Sequence, residues 1–172
     1  PLPGKLHIWF FSHYFLPEGN APASRVHETC KRWVREGHRV TVITCAPNVP
    51  AGVVYSGYRN AWTVRERVDG IDVVRIWTFV AANKGTLRRS LNYLSYLVSA
   101  VVHVLFWRRP DVIVATSPQF FCGWAGTIAS WLKQRPFVLE IRDIWPESLV
   151  EVGVLTASWP ARALQWLEKA MY

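Results

Sequence analysis

The sequence predicts an α/β fold, doubly wound and mainly parallel, with an inserted β-hairpin. Three observations carry that expectation. Strand-like and helix-like patterns alternate along most of the chain, as layered parallel sheets require. Val112 to Thr116 is a short unbroken apolar run, the pattern of a strand buried on both faces. Asp69-Gly70 stands between two strand-like runs, a strong hairpin signal.

In chain order, Leu6 to Phe11 is apolar and aromatic and reads as the first strand. Pro17, Gly19 and Pro22 break the pattern, and a helix is expected from near Ser24, with Val26, Cys30, Trp33 and Val34 on its apolar face. Gly37 stops that helix, and the β-branched run within Arg39 to Cys45 gives a second strand. The resulting βαβ unit implies a parallel pair with a right-handed crossover. A loop over Asn48 to Asn60 precedes the hairpin of Trp62 to Val68 and Ile71 to Phe79, expected as an antiparallel excursion. A long helix from about Thr86 to Trp107 follows, then the strand Val112 to Thr116, a helix Gln119 to Gln134 and a strand Pro136 to Ile141. Gly123, Ala125, Gly126 and Ala129 point to close helix packing. Trp159 to Tyr172 returns to a helical period.

The chain has 172 residues, 51% of them hydrophobic and 19% charged, which suits one well-buried domain and excludes a disordered chain. Ten Trp residues are present; those within apolar periodic segments, Trp33, Trp77, Trp107, Trp131 and Trp166, are assigned to the core by default. Cys30, Cys45 and Cys122 are odd in number and far apart, indicating neither a disulfide framework nor a zinc site and fitting a reducing cytoplasm. The net charge of +8 implies attraction to polyanions. No signal peptide is expected at the start of the chain.

Leu91 to Trp107 is nearly uncharged and flanked by Arg88, Arg89, Arg108 and Arg109, but Asn92, Ser95, Ser99 and His103 draw a polar stripe at helical spacing. The expectation is an amphipathic helix packed on the sheet or lying at a membrane surface rather than a span.

Ligands of open parallel sheets bind beyond the carboxyl ends of the strands. Ser12, His13 and the loop Pro17 to Pro22 follow the first strand, Ser117 and Pro118 follow Val112 to Thr116, and Arg142 and Asp143 follow Pro136 to Ile141. Three loops thus bring polar groups to one edge. Only Gly19 is available in the first loop, so no GxGxxG dinucleotide fingerprint exists. Gly19 still permits close backbone approach, the following helix would aim its amides at a phosphate or carboxylate, and Arg25 adds a positive charge there. Arg142 and Asp143 either cap the turn after the strand or make a local ion pair, or else join Glu140 in a network facing the cleft. His13 is a candidate proton carrier or ligand; His27 reads as structural. The absence of HExxH, CxxC, GxSxG and Walker patterns removes the common metalloprotease, serine hydrolase and P-loop readings.

His13-Tyr14-Phe15-Leu16-Pro17-Glu18 through Ala23-Ser24-Arg25, Thr116-Ser117-Pro118, and Glu140-Ile141-Arg142-Asp143-Ile144-Trp145-Pro146-Glu147-Ser148 together resemble the N-terminal domain of family 4 retaining glycosyltransferases of the GT-B fold. The likeness is strongest to the bacterial surface-polysaccharide branch that includes fucosamine transferases. It covers nearly the whole chain and implies one Rossmann-like half of a two-domain enzyme: residues 1–172 as the N-terminal, acceptor-side domain, with the C-terminal donor-binding domain absent. It also implies that the isolated domain does not turn over. The resemblance puts Gly19, Asn20 and Arg25 on the donor side and His13, Ser117, Arg142 and Glu147 on the acceptor side. Asp143, given the catalytic role, falls where many relatives have a histidine touching the donor sugar, and an Asp cannot donate as imidazole does. The implied chemistry uses a nucleotide-sugar substrate, UDP-linked, with no cofactor and no metal. The implied acceptor is linked to a polyprenyl diphosphate, and the implied location is the cytoplasmic face of the cell membrane, bound peripherally to its anionic surface. No nucleic-acid partner follows from the resemblance. The competing reading is a non-catalytic basic α/β module for a protein or nucleic-acid partner, which would want aromatic and basic residues interleaved on an exposed strand face. A phosphoacceptor receiver domain would need acidic residues where Ser12 and His13 stand.

Overall fold

A computed structural model describes residues 4–80, 86–116 and 120–141. The strands are β1 (His7–Phe11), β2 (Arg39–Cys45), β3 (Thr63–Val68), β4 (Ile71–Ile76), β5 (Val112–Thr116) and β6 (Phe137–Glu140). The helices are α1 (Ala21–Arg35), α2 (Thr86–Phe106) and α3 (Phe120–Lys133). The sheet order is β3-β4-β2-β1-β5-β6, parallel throughout except for β3 against β4. This is the Rossmann-like, mainly parallel α/β arrangement that the alternation predicts. The hairpin is no separate excursion: β4 pairs with β2 in parallel, and β3 forms the edge.

Side chains alternate across each strand, so β1, β2, β4 and β5 feed two cores. Trp9 and Phe11 join Ile43, Val74, Ile113 and Ala115 under α2 and α3, which supply Tyr96, Ala100, Val104, Cys122, Ala125 and Ala129. Ile8 and Phe10 join Val40, Val42, Val73 and Val114 on the opposite face, closed by Val26 and Cys30 of α1. All three cysteines are buried and unpaired. Gly126 lets α3 press on the sheet: a Cβ there would lie 2.6 Å from the Phe137 ring and 2.8 Å from Ala115. The small residues of this helix therefore serve packing.

Helix α1 begins three residues before Ser24. Pro22 does not delay the helix; it occupies the first turn, where its missing N–H has no intrahelical partner to lose. Asn20 is the N-cap, its Oδ1 accepting the Ala23 amide at 2.9 Å. The turn at Asp69 and Gly70, both at positive φ, joins β3 to β4. Asp69 also receives His27 and Lys31 of α1, each at 2.9 Å, which gives His27 its structural role.

Helix α2 buries polar residues on the same side as Tyr96, Ala100 and Val104. Its polar stripe faces inward: Asn92, Ser99 and His103 are buried. Asn92 Nδ2 donates to the Phe79 carbonyl at 2.7 Å, Ser95 Oγ accepts the Phe79 amide at 2.8 Å, and His103 contacts Thr63 Oγ1 at 2.5 Å. Leu91, Leu94, Val98, Leu105 and Phe106 are exposed, the last to 84%. Among the described residues no helix is long and apolar enough to cross a membrane.

Two other expectations change. Trp77 and Trp131 are not core residues, being 40% and 61% exposed; among the described residues the fully buried tryptophan is Trp9. Trp166 lies outside the described residues. Strand β6 is the outer strand among those described and is only half-buried, so Glu140 does not sit in a doubly covered interior.

Candidate functional site

At the carboxyl end of β1 the ladder continues for one bond, Ser12 N donating to the Ile43 carbonyl at 3.1 Å. The chain then turns under α2, and Ser12 Oγ fixes the turn by donating to the Tyr14 carbonyl at 2.7 Å. This places the His13 ring within an aromatic cage. Tyr14, Tyr93 and Tyr96 approach it edge-on at centroid distances of 5.1, 5.2 and 5.2 Å. The His13 carbonyl is held by Thr44 Oγ1 at 3.0 Å and by the Cys45 thiol at 3.3 Å. Burial pushes the imidazole down to about 3, against an opposing hydrogen bond from Asn92. It is therefore neutral at physiological pH. Its Nδ1 is buried without a hydrogen-bond partner among the described residues. A neutral ring in this setting can exchange one hydrogen bond with a hydroxyl-bearing ligand, but it is a poor acceptor of a proton at pH 7.

The next loop is anchored from beneath. Glu18 is 2% exposed, and its Oε1 accepts the amides of Asn48 and Val49 at 3.0 and 3.2 Å. Burial raises its carboxyl pKa, against those two amides, Arg75 and Asn20. Arg75, equally buried in β4, bonds Glu66 at 2.6 Å and donates to the carbonyls of Cys45 and Leu16. Its guanidinium also lies 4.9 Å from the Tyr58 ring centroid. One buried cation thus ties together segments following β1, β2 and β3's neighbouring loop.

Gly19 crowns this anchored loop. It is exposed, and a Cβ would meet no atom within 4 Å. Nothing within the described chain requires glycine at that position, so the open space is available to a ligand. Asn20 beside it is engaged through Oδ1 in capping α1. Arg25 lies on the second turn of α1, half-buried and outside every described ion pair. The structure accordingly gathers His13, Gly19 and Asn20 at the carboxyl edge, with Arg25 behind them. Ser117, Arg142, Asp143 and Glu147 lie outside the described residues, and with them the expected network around Glu140.

Residue-by-residue reading overlooked Tyr93, Asn92, Glu18 and Arg75. The first two reach His13 from a helix remote in sequence. Arg75 did carry a signal, because a lone charge within the apolar run Ile71 to Ile76 must find buried partners. Among the described residues no cluster of three or more His, Cys, Asp or Glu is arranged to hold a metal ion.

Parallel strands and a helix capped immediately after an anchored loop at the sheet's carboxyl edge define a Rossmann-like domain. The chain belongs to the glycosyl transferase 4-like domain family, which it matches over residues 20–172. It is 30% identical over 151 residues to an Escherichia coli (strain K12) protein named "Putative colanic acid biosynthesis glycosyl transferase WcaI". The alignment takes in 87% of this chain and 37% of that relative, so the chain spans little more than a third of the relative's length.

Proposed function

We propose that this chain forms the acceptor-side half of a nucleotide-sugar-dependent retaining glycosyltransferase, working in the synthesis of a bacterial surface polysaccharide. The observation that carries the reading is the anchored, open loop at Gly19, joined directly to the capped amino end of α1. Such an end turns the positive pole of the helix dipole toward a diphosphate, while the anchoring by Glu18 and Arg75 lowers the cost of ordering the loop on binding. In this proposal Gly19, Asn20 and Arg25 face the donor. His13, Ser117, Arg142 and Glu147 face the acceptor, and Asp143 contacts the sugar undergoing transfer. The donor is UDP-linked and no metal or cofactor takes part. A second Rossmann-like domain supplies the rest of the donor site, so the 172-residue chain alone does not turn over.

The acceptor in this proposal is carried on a polyprenyl diphosphate at the cytoplasmic face of the membrane. Support comes from the apolar outer stripe of α2, with Arg88 and Arg89 at one end and Arg108 and Arg109 beyond the other. Exposed apolar side chains bracketed by cations suit the boundary of an anionic bilayer.

The test is a sugar-transfer assay with a panel of UDP-sugars and a lipid-diphosphate acceptor, run on the chain alone and on the chain joined to its second domain. Transfer by the joined protein only, unchanged by EDTA and with retained anomeric configuration, is expected. Transfer by the 172-residue chain alone would refute the division of labour. For the membrane part, sedimentation should show binding to anionic vesicles that weakens with salt. Equal binding to neutral vesicles at high salt counts against it.

A further inference from the structure

The amino ends of the same strands carry a second pocket. His7 and Trp9 of β1, Arg39 and Thr41 of β2, Asp72 and Val74 of β4, Arg65 and Glu66 of β3, and Phe106 to Arg109 after α2 enclose about 540 Å³. That volume is typical of a small-molecule site. It lies beyond the opposite end of β1 from His13, roughly 20 Å away at the rise of an extended strand.

The pocket exists because polar residues interrupt the face that α2 should cover. Strand register places Arg65 opposite Val74 and Arg67 opposite Asp72, so β3 turns its arginines toward the α2 side. Helix α2 ends at Phe106, leaving this part of the sheet uncovered.

Charge in the pocket does not balance. Glu66 is committed to buried Arg75 at 2.6 Å, and Asp72 is shared between Arg39 at 3.1 Å and Arg67 at 3.8 Å. Arg65, Arg108 and Arg109 form no ion pair among the described residues. Burial and then Arg39 hold His7 below its ordinary pKa, against Asp111 and Asp72, and burial and then Arg109 do the same for Lys133.

The walls are rigid. The Trp107 ring stands edge-on to Trp9 at 5.7 Å and to His103 at 5.4 Å, and its carbonyl is held by Lys133 Nζ at 2.8 Å. Arg65 Cζ lies 5.9 Å from that ring's centroid, which orients the guanidinium on an aromatic face. An oriented Arg65 with Arg108 and Arg109 nearby, none ion-paired among the described residues, beside an aromatic wall matches a phosphate group attached to an apolar or planar moiety.

We propose that this pocket is a second, anion-binding site, in which Arg65, Arg108 and Arg109 receive a phosphate group and Trp107 and Phe106 pack against the part of the ligand that bears it. The site lies apart from the sugar-transfer cleft, although Phe106, Arg108 and Arg109 also border the membrane-facing stripe of α2. The phosphate belongs either to a soluble molecule or to a lipid headgroup, and the ligand experiment separates the two.

Isothermal titration calorimetry on the 172-residue chain, at low ionic strength, would use two probes: inorganic pyrophosphate, and dihexanoyl phosphatidic acid below its micelle-forming concentration. Saturable binding is expected, weakened about tenfold by Arg65→Ala or Arg108→Ala, each of which removes charge-assisted hydrogen bonds. Both positions are exposed, so the fold should survive, and matching thermal melts would verify this. The charge-matched control is Arg35→Ala, an exposed arginine in the last turn of α1 on the opposite face of the sheet, which should leave affinity unchanged. Comparable affinity for both probes identifies a soluble phosphate, and binding of the lipid phosphate alone identifies a headgroup. Absence of saturable binding to either probe overturns the proposal, as does an equal loss in the Arg35 control, which would reduce the effect to general surface charge.

Discussion

The carboxylate of Glu18 accepts the backbone amide of Asn48 at 3.0 Å, and through that bond the loop after β1 is fastened to the loop after β2. Burial raises the Glu18 pKa above its ordinary 4.5, so the folded state retains a proton that the unfolded chain releases. The contribution of Glu18 to stability therefore falls as pH rises through the interval above 4.5. Glu18→Gln, which keeps the acceptor oxygen, should remove this slope and be at least as stable as the native chain at pH 7. Glu18→Ala should cost about 2 kcal/mol, since it strands two buried amides. Urea denaturation between pH 4.5 and 7 measures both, and a Gln variant as unstable as the Ala variant would contradict the assignment.

His13 should impose the opposite slope. Its folded pKa of about 3 lies below the ordinary 6.5, so the unfolded chain binds a proton first as pH falls. Stability is expected to drop from pH 6.5 toward 3, by on the order of a few kcal/mol from this residue. His13→Gln should flatten that acid limb. An unchanged profile, followed by circular dichroism in urea, would show that the ring is solvated.

Arg75 is the common anchor, so its loss should be felt beyond its own strand. Arg75→Met leaves Glu66 without its cation and frees the carbonyls of Leu16 and Cys45. A loss of about 3 kcal/mol is expected. Hydrogen exchange should accelerate at the amides of Glu18, Asn48 and Val49; protection unchanged at these amides would mean the loops hold without the guanidinium.

Two glycines should respond in opposite ways to the same substitution. Gly126→Ala drives a methyl group into Phe137 and Ala115 and should cost about 1–3 kcal/mol. Gly19→Ala enters open space and should alter stability by less than about 0.5 kcal/mol. In the two-domain enzyme proposed above, however, Gly19→Ala should weaken nucleotide-sugar binding, because the methyl would fill room that the proposal leaves for the ligand. Thermal melts and a donor titration separate the two effects; an unaffected donor affinity would place the ligand elsewhere.

The strands were legible because β-branched runs bounded by Pro and Gly leave few alternatives: Arg39 to Cys45 and Val112 to Thr116 form as expected. The start of α1 was not, since Pro22 signals a break and a first helical turn equally well. Periodicity identified the two stripes of α2 but not which one faces inward. That choice rests on the Phe79 amide and carbonyl and on Thr63, backbone and side-chain partners far away in sequence. The same limit applies to the candidate site. His13 and Gly19 could be placed from the rule that loops after parallel strands gather at one edge. The tyrosines around His13 could not, because Tyr93 and Tyr96 arrive from α2 only once that helix has docked.

The buried polar stripe of α2 also determines how the helix is rotated about its own axis. An apolar stripe tolerates a range of rotations, since greasy contacts have little directionality. Hydrogen bonds from Asn92, Ser95 and His103, spread over three turns, accept only a narrow one. Tyr93 and Tyr96 inherit that setting, so the helix works as a key whose teeth lie along the hairpin and whose tip closes on His13.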